Sequence, residues 1–269
     1  MAARFELSPD HPHVAVVTID RPAQANSLDP LTLCELAAAW RRIAGDPEIR
    51  CAVLTGAGDR AFCAGMDMKT TIPAAQRFAR GERIDEETFE GLRNVATALL
   101  AGFDLCTPLV CAINGHARAG GFDLMLASEM RFAVPQATFA LEEVALGLYP
   151  TGNATVLLPR QIGWVHAHEL LLTARPITAQ HALEIGLINR IVAPEVLMAT
   201  ALDTADAIAA NAPLAVRETR RGVREILHLS LAEAYERQEQ LGHPLRRTQD
   251  AREAQRAFVE RRRPLWQGK

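Results

Sequence analysis

The stretch Leu109-Val110-Cys111-Ala112-Ile113-Asn114-Gly115-His116-Ala117-Arg118-Ala119-Gly120-Gly121-Phe122-Asp123-Leu124 decides how this chain folds. An apolar, β-branched run, residues 109–113, reads as a buried strand, and residues 122–128 read as a buried helix. A glycine-bearing turn joins them. Upstream, residues 51–55 form a second such strand, followed by a second turn, Ala61-Phe62-Cys63-Ala64-Gly65-Met66-Asp67-Met68. An acidic residue follows each turn. Both places offer main-chain N–H groups near a strand end with little side-chain obstruction. Two such groups converging on one point form an oxyanion hole, which stabilises charge developing on a carbonyl oxygen. The paired turns therefore point to an enzyme acting on an acyl group.

Outward from these turns, residues 14–20 alternate weakly and read as a strand ended by Arg21-Pro22. Residues 28–43 have helical spacing, with Ser27 or Asp29 as N-cap and Pro30 near the first turn. The pattern predicts a helix over 86–103, strands over 130–134 and 138–140, and helices over 153–162, 163–172 and 179–185. Residues 69–85 contain Pro73 and Gly81 and read as a mobile loop with some helix. From 194 to 258 the chain is almost wholly helical, with breaks expected near Ala212-Pro213 and Gly242-His243-Pro244. Strands thus fill the first half and helices the last third. This predicts an α/β core over residues 1–195 and a helical segment over 196–269, with no internal repeat.

Composition narrows the partners. The chain has 269 residues, 49% of them hydrophobic, and a formal net charge of −3. That balance argues against nucleic acid or an anionic membrane as the main partner. The basic clusters at 217–224 and 261–263 are interleaved with acids or lie near the end of the chain, as on solvated helix faces. No apolar run reaches the roughly 18 residues of a membrane span, and the first residues lack a signal-peptide core. Five cysteines, none in a C-x-x-C pair, suit packed thiols in a reducing compartment. A cytoplasmic location is expected.

Other motifs are weaker. Gly56-Ala57-Gly58-Asp59-Arg60-Ala61 formally matches a dinucleotide-binding turn, but no helix opens there and no strand follows at the required distance. His166 and His168 lie two apart on a helix and point to different faces, and His11 and His13 have no evident third ligand, so no metal site is expected. There is no G-x-S-x-G elbow. Taken alone, Asp123 is a first-turn acid that complements a helix dipole. Glu142-Glu143 is harder to dismiss, because a carboxylate in an apolar stretch is expensive unless paired or used.

These residues together resemble the enoyl-CoA hydratase/isomerase (crotonase) family. Arg21-Pro22-Ala23-Gln24-Ala25-Asn26-Ser27-Leu28 looks like the family's opening motif, and the two turns look like its two oxyanion segments. Residues 182–192 and the ending Arg263-Pro264-Leu265-Trp266-Gln267-Gly268 are also similar. The match runs nearly end to end, and the order and spacing of the pieces make it specific.

The resemblance implies an α/β fold, a crotonase-like spiral of ββα units with a C-terminal helical trimerisation region, assembled as a homotrimer or hexamer. It implies an acyl-coenzyme A thioester as substrate, with no separate cofactor. By position, the oxyanion donors would be the amides of Met66 and Gly120. Ala64, Gly65, Met66, Asp67, Met68 and Gly120 would line the substrate path, largely through main chain. The family's two catalytic carboxylates fall on Asp123 and Glu143. Aspartate at the first position is shorter by about 1.5 Å, one C–C bond. Either the backbone compensates or Glu143 carries the chemistry. A hydratase is therefore expected, with an isomerase using Glu143 alone, or a non-catalytic acyl-CoA-binding relative, as alternatives. His116 and Arg118 are expected to pack or to anchor a loop through a salt bridge.

Overall fold

A computed structural model describes residues 2–269. β1 (Ala3–Leu7) lies antiparallel against β2 (Val14–Ile19), and helix α1 (Pro30–Gly45) follows. Asp29 caps this helix, accepting the Thr32 amide at 2.8 Å, with Pro30 in the first turn where a missing N–H is harmless. Ser27, the other candidate cap, donates instead to Asp67.

A circuit then repeats. β3 (Cys51–Gly56) joins β2 in parallel, β4 (Ala61–Cys63) crosses to a second sheet, and α2 (Thr71–Ala79), α3 (Glu86–Arg93) and α4 (Val95–Ala98) return the chain. The next circuit is β5 (Leu109–Ile113), β6 (His116–Arg118) and α5 (Gly120–Leu126). It is followed by β7 (Met130–Ala133), β8 (Thr138–Ala140), α6 (Ala154–Gln161) and α7 (Trp164–Thr173). β9 (Ile177–Thr178), α8 (Ala179–Glu184) and β10 (Arg190–Ile191) complete the frame. The large sheet runs β1-β2-β3-β5-β7-β10 and the small one β4-β6-β8-β9. Each circuit thus contributes one strand to each sheet and a helical return, which makes a spiral of ββα turns.

This topology positions the site. β4, β6 and β8 are parallel neighbours, Cys63 opposite Ala117 and Arg118 opposite Ala140, with one register shift between Ala61 and Cys63. Parallel strands leave a sheet at the same edge, so the corners after Cys63, Arg118 and Ala140 stack side by side.

Every residue of β3 and β5 is buried, as expected of parallel strands covered on both faces. α9 (Leu197–Ala209) covers the large sheet with Leu197, Ala201, Ala205 and Ala209, one per helical turn, and these belong to the main core. α10 (Pro213–Ile226), α11 (Leu231–Leu245) and α12 (Gln249–Glu260) lie beyond it. Arg220 on α10 is tied to Asp104 at 2.6 Å and Glu129 at 2.8 Å.

Several elements differ from the sequence reading. β1, β4, β6, β9 and β10 lie outside the expected strands; β1 alternates over only five residues and is mostly exposed, and the others have two or three residues. The helix expected somewhere within 69–85 occupies 71–79, beginning where Asp67 Oδ1 accepts the Lys69 and Thr70 amides. The helix expected to reach 103 stops at Ala98, and left-handed Leu100 and Gly102 follow. No break occurs at 242–244. α11 continues through Gly242 and Pro244, and the chain turns just beyond, where Thr248 caps α12 at 3.0 Å. Cys51, Cys63 and Cys111 are buried free thiols, whereas Cys106 is exposed. Among the described residues no helix is long and apolar enough to cross a membrane.

Candidate active site

The first turn is aimed by residues far upstream. Leu28 brackets Met66 in one parallel bridge: the Leu28 amide donates to the Gly65 carbonyl at 2.8 Å, and the Asp67 amide donates to the Leu28 carbonyl at 3.0 Å. Met66's own N–H falls between these bonds and, among the described residues, has no protein acceptor. Asn26, wholly buried with φ 55°, ties the turn down through the Ala57 and Ala61 carbonyls at 3.0 and 2.7 Å. Arg21 bonds Asp67 at 3.1 Å. The Asp67 carboxylate is therefore a brace within the turn. Its side chain faces Arg21, Ser27 and the start of α2, not the cavity described below.

The second turn reaches the same place from the next circuit. The Ala119 amide donates to the Ala140 carbonyl at 3.0 Å, and the amide of Gly120 opens α5 with no protein acceptor among the described residues. Each free amide follows a residue of positive φ, Gly65 at 85° and Ala119 at 44°, which turns the peptide plane outward. The turns touch: a Cβ built on Gly65 would come within 3.0 Å of the Gly120 nitrogen. One on Gly120 would lie 3.7 Å from the Met66 nitrogen. The two free N–H groups are thus near neighbours, one of them at a helix N-terminus.

A cavity of about 980 Å³ opens over them. Its wall includes Ala64, Met66, Met68, Gly120, Asp123 and Glu143. Gly65 and Asp67 contribute main-chain support rather than wall. Most of the remaining lining is apolar, including Ile72, Leu92, Val95, Leu99 and Leu148. A second cavity, about 890 Å³, lies under α10, but its charges are mutually paired. Arg131 at its edge donates to the carbonyls of Met125, Leu126, Ser128 and Leu187. Among the described residues this cavity's carboxylates, Asp104, Glu129 and Glu225, are all engaged by arginines.

The two carboxylates differ sharply. Asp123 is 3% exposed, and its Oδ1 accepts the Asn153 and Ala154 amides, both at 2.6 Å, at the start of α6. Asn153 Nδ2 returns a bond to the Asp123 carbonyl at 3.0 Å. Gly152 permits this contact, since a Cβ there would sit 2.3 Å from the Asp123 carboxylate. The shorter acid is thus anchored to α6. Burial, with the Glu143 charge second, pushes Asp123 up to about 7 against the pull of the two amides. Glu143 stands on the helical turn Glu143–Leu146, and its Oε2 is buried with no protein partner. Burial first, then the charge of Glu142, raise its pKa. A carboxylate so placed is a proton acceptor poised above the ordinary carboxylate range.

Linkage gives a test of the anchor. Between 3.8 and about 7 the folded protein holds a proton on Asp123 that the unfolded chain has released, so stability falls as pH rises through that window. Asp123→Asn is expected to remove this decline. In urea unfolding at about pH 5 and pH 7.5, the parent should lose about 2.5 kcal/mol more than the variant. Equal losses would show that Asp123 does not titrate upward.

Arg118 pairs with Glu142 at 3.1 Å and with Thr138 Oγ1 at 2.9 Å, and Thr138 also contacts His116 Nδ1 at 2.9 Å. The loop-anchoring role expected of His116 and Arg118 is therefore present. Asn153 was not singled out, because an asparagine opening a helix reads as an ordinary cap. His166 does not pair with His168, which stacks on Trp164; it approaches Glu169 and His181, with donor atoms within 4.8 Å of one another. Both His166 and Glu169 are exposed, and none of the three lines either cavity.

Comparison with known proteins agrees with this geometry. Residues 10–269 match the profile of the enoyl-CoA hydratase/isomerase family. The chain is 40% identical to enoyl-CoA hydratase EchA19 of Mycobacterium tuberculosis, over 96% of this chain and 94% of that one. It is 37% identical to (E)-benzylidenesuccinyl-CoA hydratase of Thauera aromatica, over 95% and 96%. A crystal structure of enoyl-CoA hydratase from Bacillus anthracis superposes with a TM-score of 0.88 at 33% identity, covering both chains completely.

Proposed function

The chain belongs to the enoyl-CoA hydratase/isomerase family, and from that premise we propose that it adds water across the double bond of a 2-enoyl-CoA thioester. The carrying observation is the convergence, on one cavity, of two acceptor-free amides and a buried carboxylate oxygen without a partner. The thioester oxygen lies between the amides of Met66 and Gly120. Glu143 takes a proton from water as the water oxygen bonds to Cβ. The alkene electrons move to the thioester oxygen as an enolate, which the two amides stabilise. Protonated Glu143 then delivers its proton to Cα. Asp123, anchored to α6, assists by orienting the water. Coenzyme A arrives with the substrate, and no further cofactor takes part.

One observation favours a second reading. With Oδ1 of Asp123 engaged by two amides, Glu143 can work alone, as shifting a 3-enoyl double bond to the 2 position requires. A panel of 2-enoyl and 3-enoyl thioesters of varied length separates the readings. Hydration of a 2-enoyl-CoA supports the first; turnover confined to 3-enoyl-CoA, surviving Asp123→Ala, replaces it with the second. Turnover of neither leaves only an acyl-CoA-binding role. The helical tail builds the proposed homotrimer or hexamer, a reading supported by exposed Leu227, Leu231 and Tyr235, and light scattering measures it.

A further inference from the structure

We infer that Arg118 is a positioning residue, clamping Glu142 and thereby holding Glu143 at a set distance from the Gly120 amide. The inference rests on Glu143 being the proton carrier. Arg118 ends β6, two residues before Gly120, and Glu142 immediately precedes Glu143. The guanidinium spans the two corners, bonding Glu142 Oε1 at 3.1 Å and Thr138 Oγ1 at 2.9 Å. Main-chain pairing beneath it, Ala119 N–H to the Ala140 carbonyl at 3.0 Å, fixes the strands but ends before Glu142.

Beyond that point the segment bearing Glu143 leans on α7 and leaves much of its apolar surface open. Val144, Leu146, Leu148 and Tyr149 are all exposed. The Arg118 fork is the side-chain link between this segment and the small sheet. Because Arg118 is 22% exposed and Glu142 44%, the pair adds little to global stability; its effect is on placement and charge. The groups facing Glu143 are Asp123 from α5 and Glu142 from its own segment, with Arg93 of α3 and Tyr149 along the same cavity. Arg118 offsets the Glu142 charge. Without it, the Glu142 charge would stand uncompensated beside the proton carrier.

The test uses Arg118→Met, Glu142→Gln and the double variant in the full-length protein, with whichever enoyl thioester the parent turns over. Arg118→Met is expected to lower kcat on the order of 10- to 100-fold, the scale of a misplacement near 1 Å, with KM changed less than about threefold. It should also move the acid limb of the kcat/KM profile to higher pH. Adding Glu142→Gln should return that limb to the parent position, because the uncompensated charge is gone, while the rate stays low. A parental rate and limb in Arg118→Met overturns the clamp. So does a rate loss in which the limb never moves and the melting temperature falls sharply, since that is merely structural. If the parent turns over no enoyl thioester, the functional reading fails by itself. The clamp is then decided by NMR titration of the ¹³C-labelled Glu143 carboxyl, assigned with Glu143→Gln. A midpoint raised by Arg118→Met and restored in the double variant supports the clamp, and an unmoved midpoint ends it.

Discussion

Glu143→Gln is expected to lower enoyl-CoA turnover on the order of 10³-fold, the range for loss of a general acid/base, while KM stays near the parental value. Glutamine keeps the shape of the side chain and neither takes nor delivers a proton at the reacting carbons. The fold should not suffer. Glu143 Oε2 is buried without a partner and its pKa is raised by burial, so the ionised group weakens the folded state at neutral pH. The sign follows from proton counts: above 4.5 the unfolded chain has released a proton that the folded protein still holds, so stability falls with rising pH. Glutamine removes that decline, and thermal unfolding near pH 7 should find the variant at least as stable as the parent. The same raised pKa places the acid limb of the parental rate profile above the usual glutamate range. A variant retaining more than about one tenth of parental kcat would remove Glu143 from the chemistry, since general acid/base groups contribute at least about 10²-fold.

Gly121→Ala should be the most damaging single-atom change in the site. A Cβ there would lie 2.2 Å from the Cys63 carbonyl oxygen and 2.8 Å from its carbon. Both belong to backbone, so no side-chain rotation relieves the clash. The β4 and β6 corners must separate, and with them the turns that carry the Met66 and Gly120 amides. Overpacking of this kind costs about 3 kcal/mol, a fall in melting temperature of roughly 6 to 12 °C for a chain of this size. Losing the convergence of two oxyanion donors should lower kcat by 10²-fold or more, on the order of what removing one donor costs. Gly120→Ala is the control for stability alone, because a Cβ there meets nothing nearer than 3.6 Å and the fold should tolerate it. Equal stability for the two variants would mean that the corners are not in contact.

Much of this was legible in the residues. The strands at 109–113 and near 51–56 announce themselves because a parallel strand covered on both faces must be apolar throughout. The glycines at 65, 120 and 121 mark turns where backbone meets backbone. Glu143 stands out as an acid in an apolar stretch. The short strands β4, β6 and β9 were hidden, because two or three residues hold too little periodicity to read. Some helix was expected in 69–85, but its extent over 71–79 was obscured by Pro73, which is harmless in a first turn.

Local order along the chain was therefore settled by the sequence itself: strand, glycine turn, acid, and the motifs that mark the family. Distances between those pieces were not. Asp123 lies 30 residues from the Asn153 amide that anchors it, Arg118 lies 24 from Glu142, and Leu28 reaches across to bracket Met66. Such pairings depend on strand register and on how the corners of a spiral stack. No linear spacing encodes these, because they arise only when every circuit packs against its neighbour.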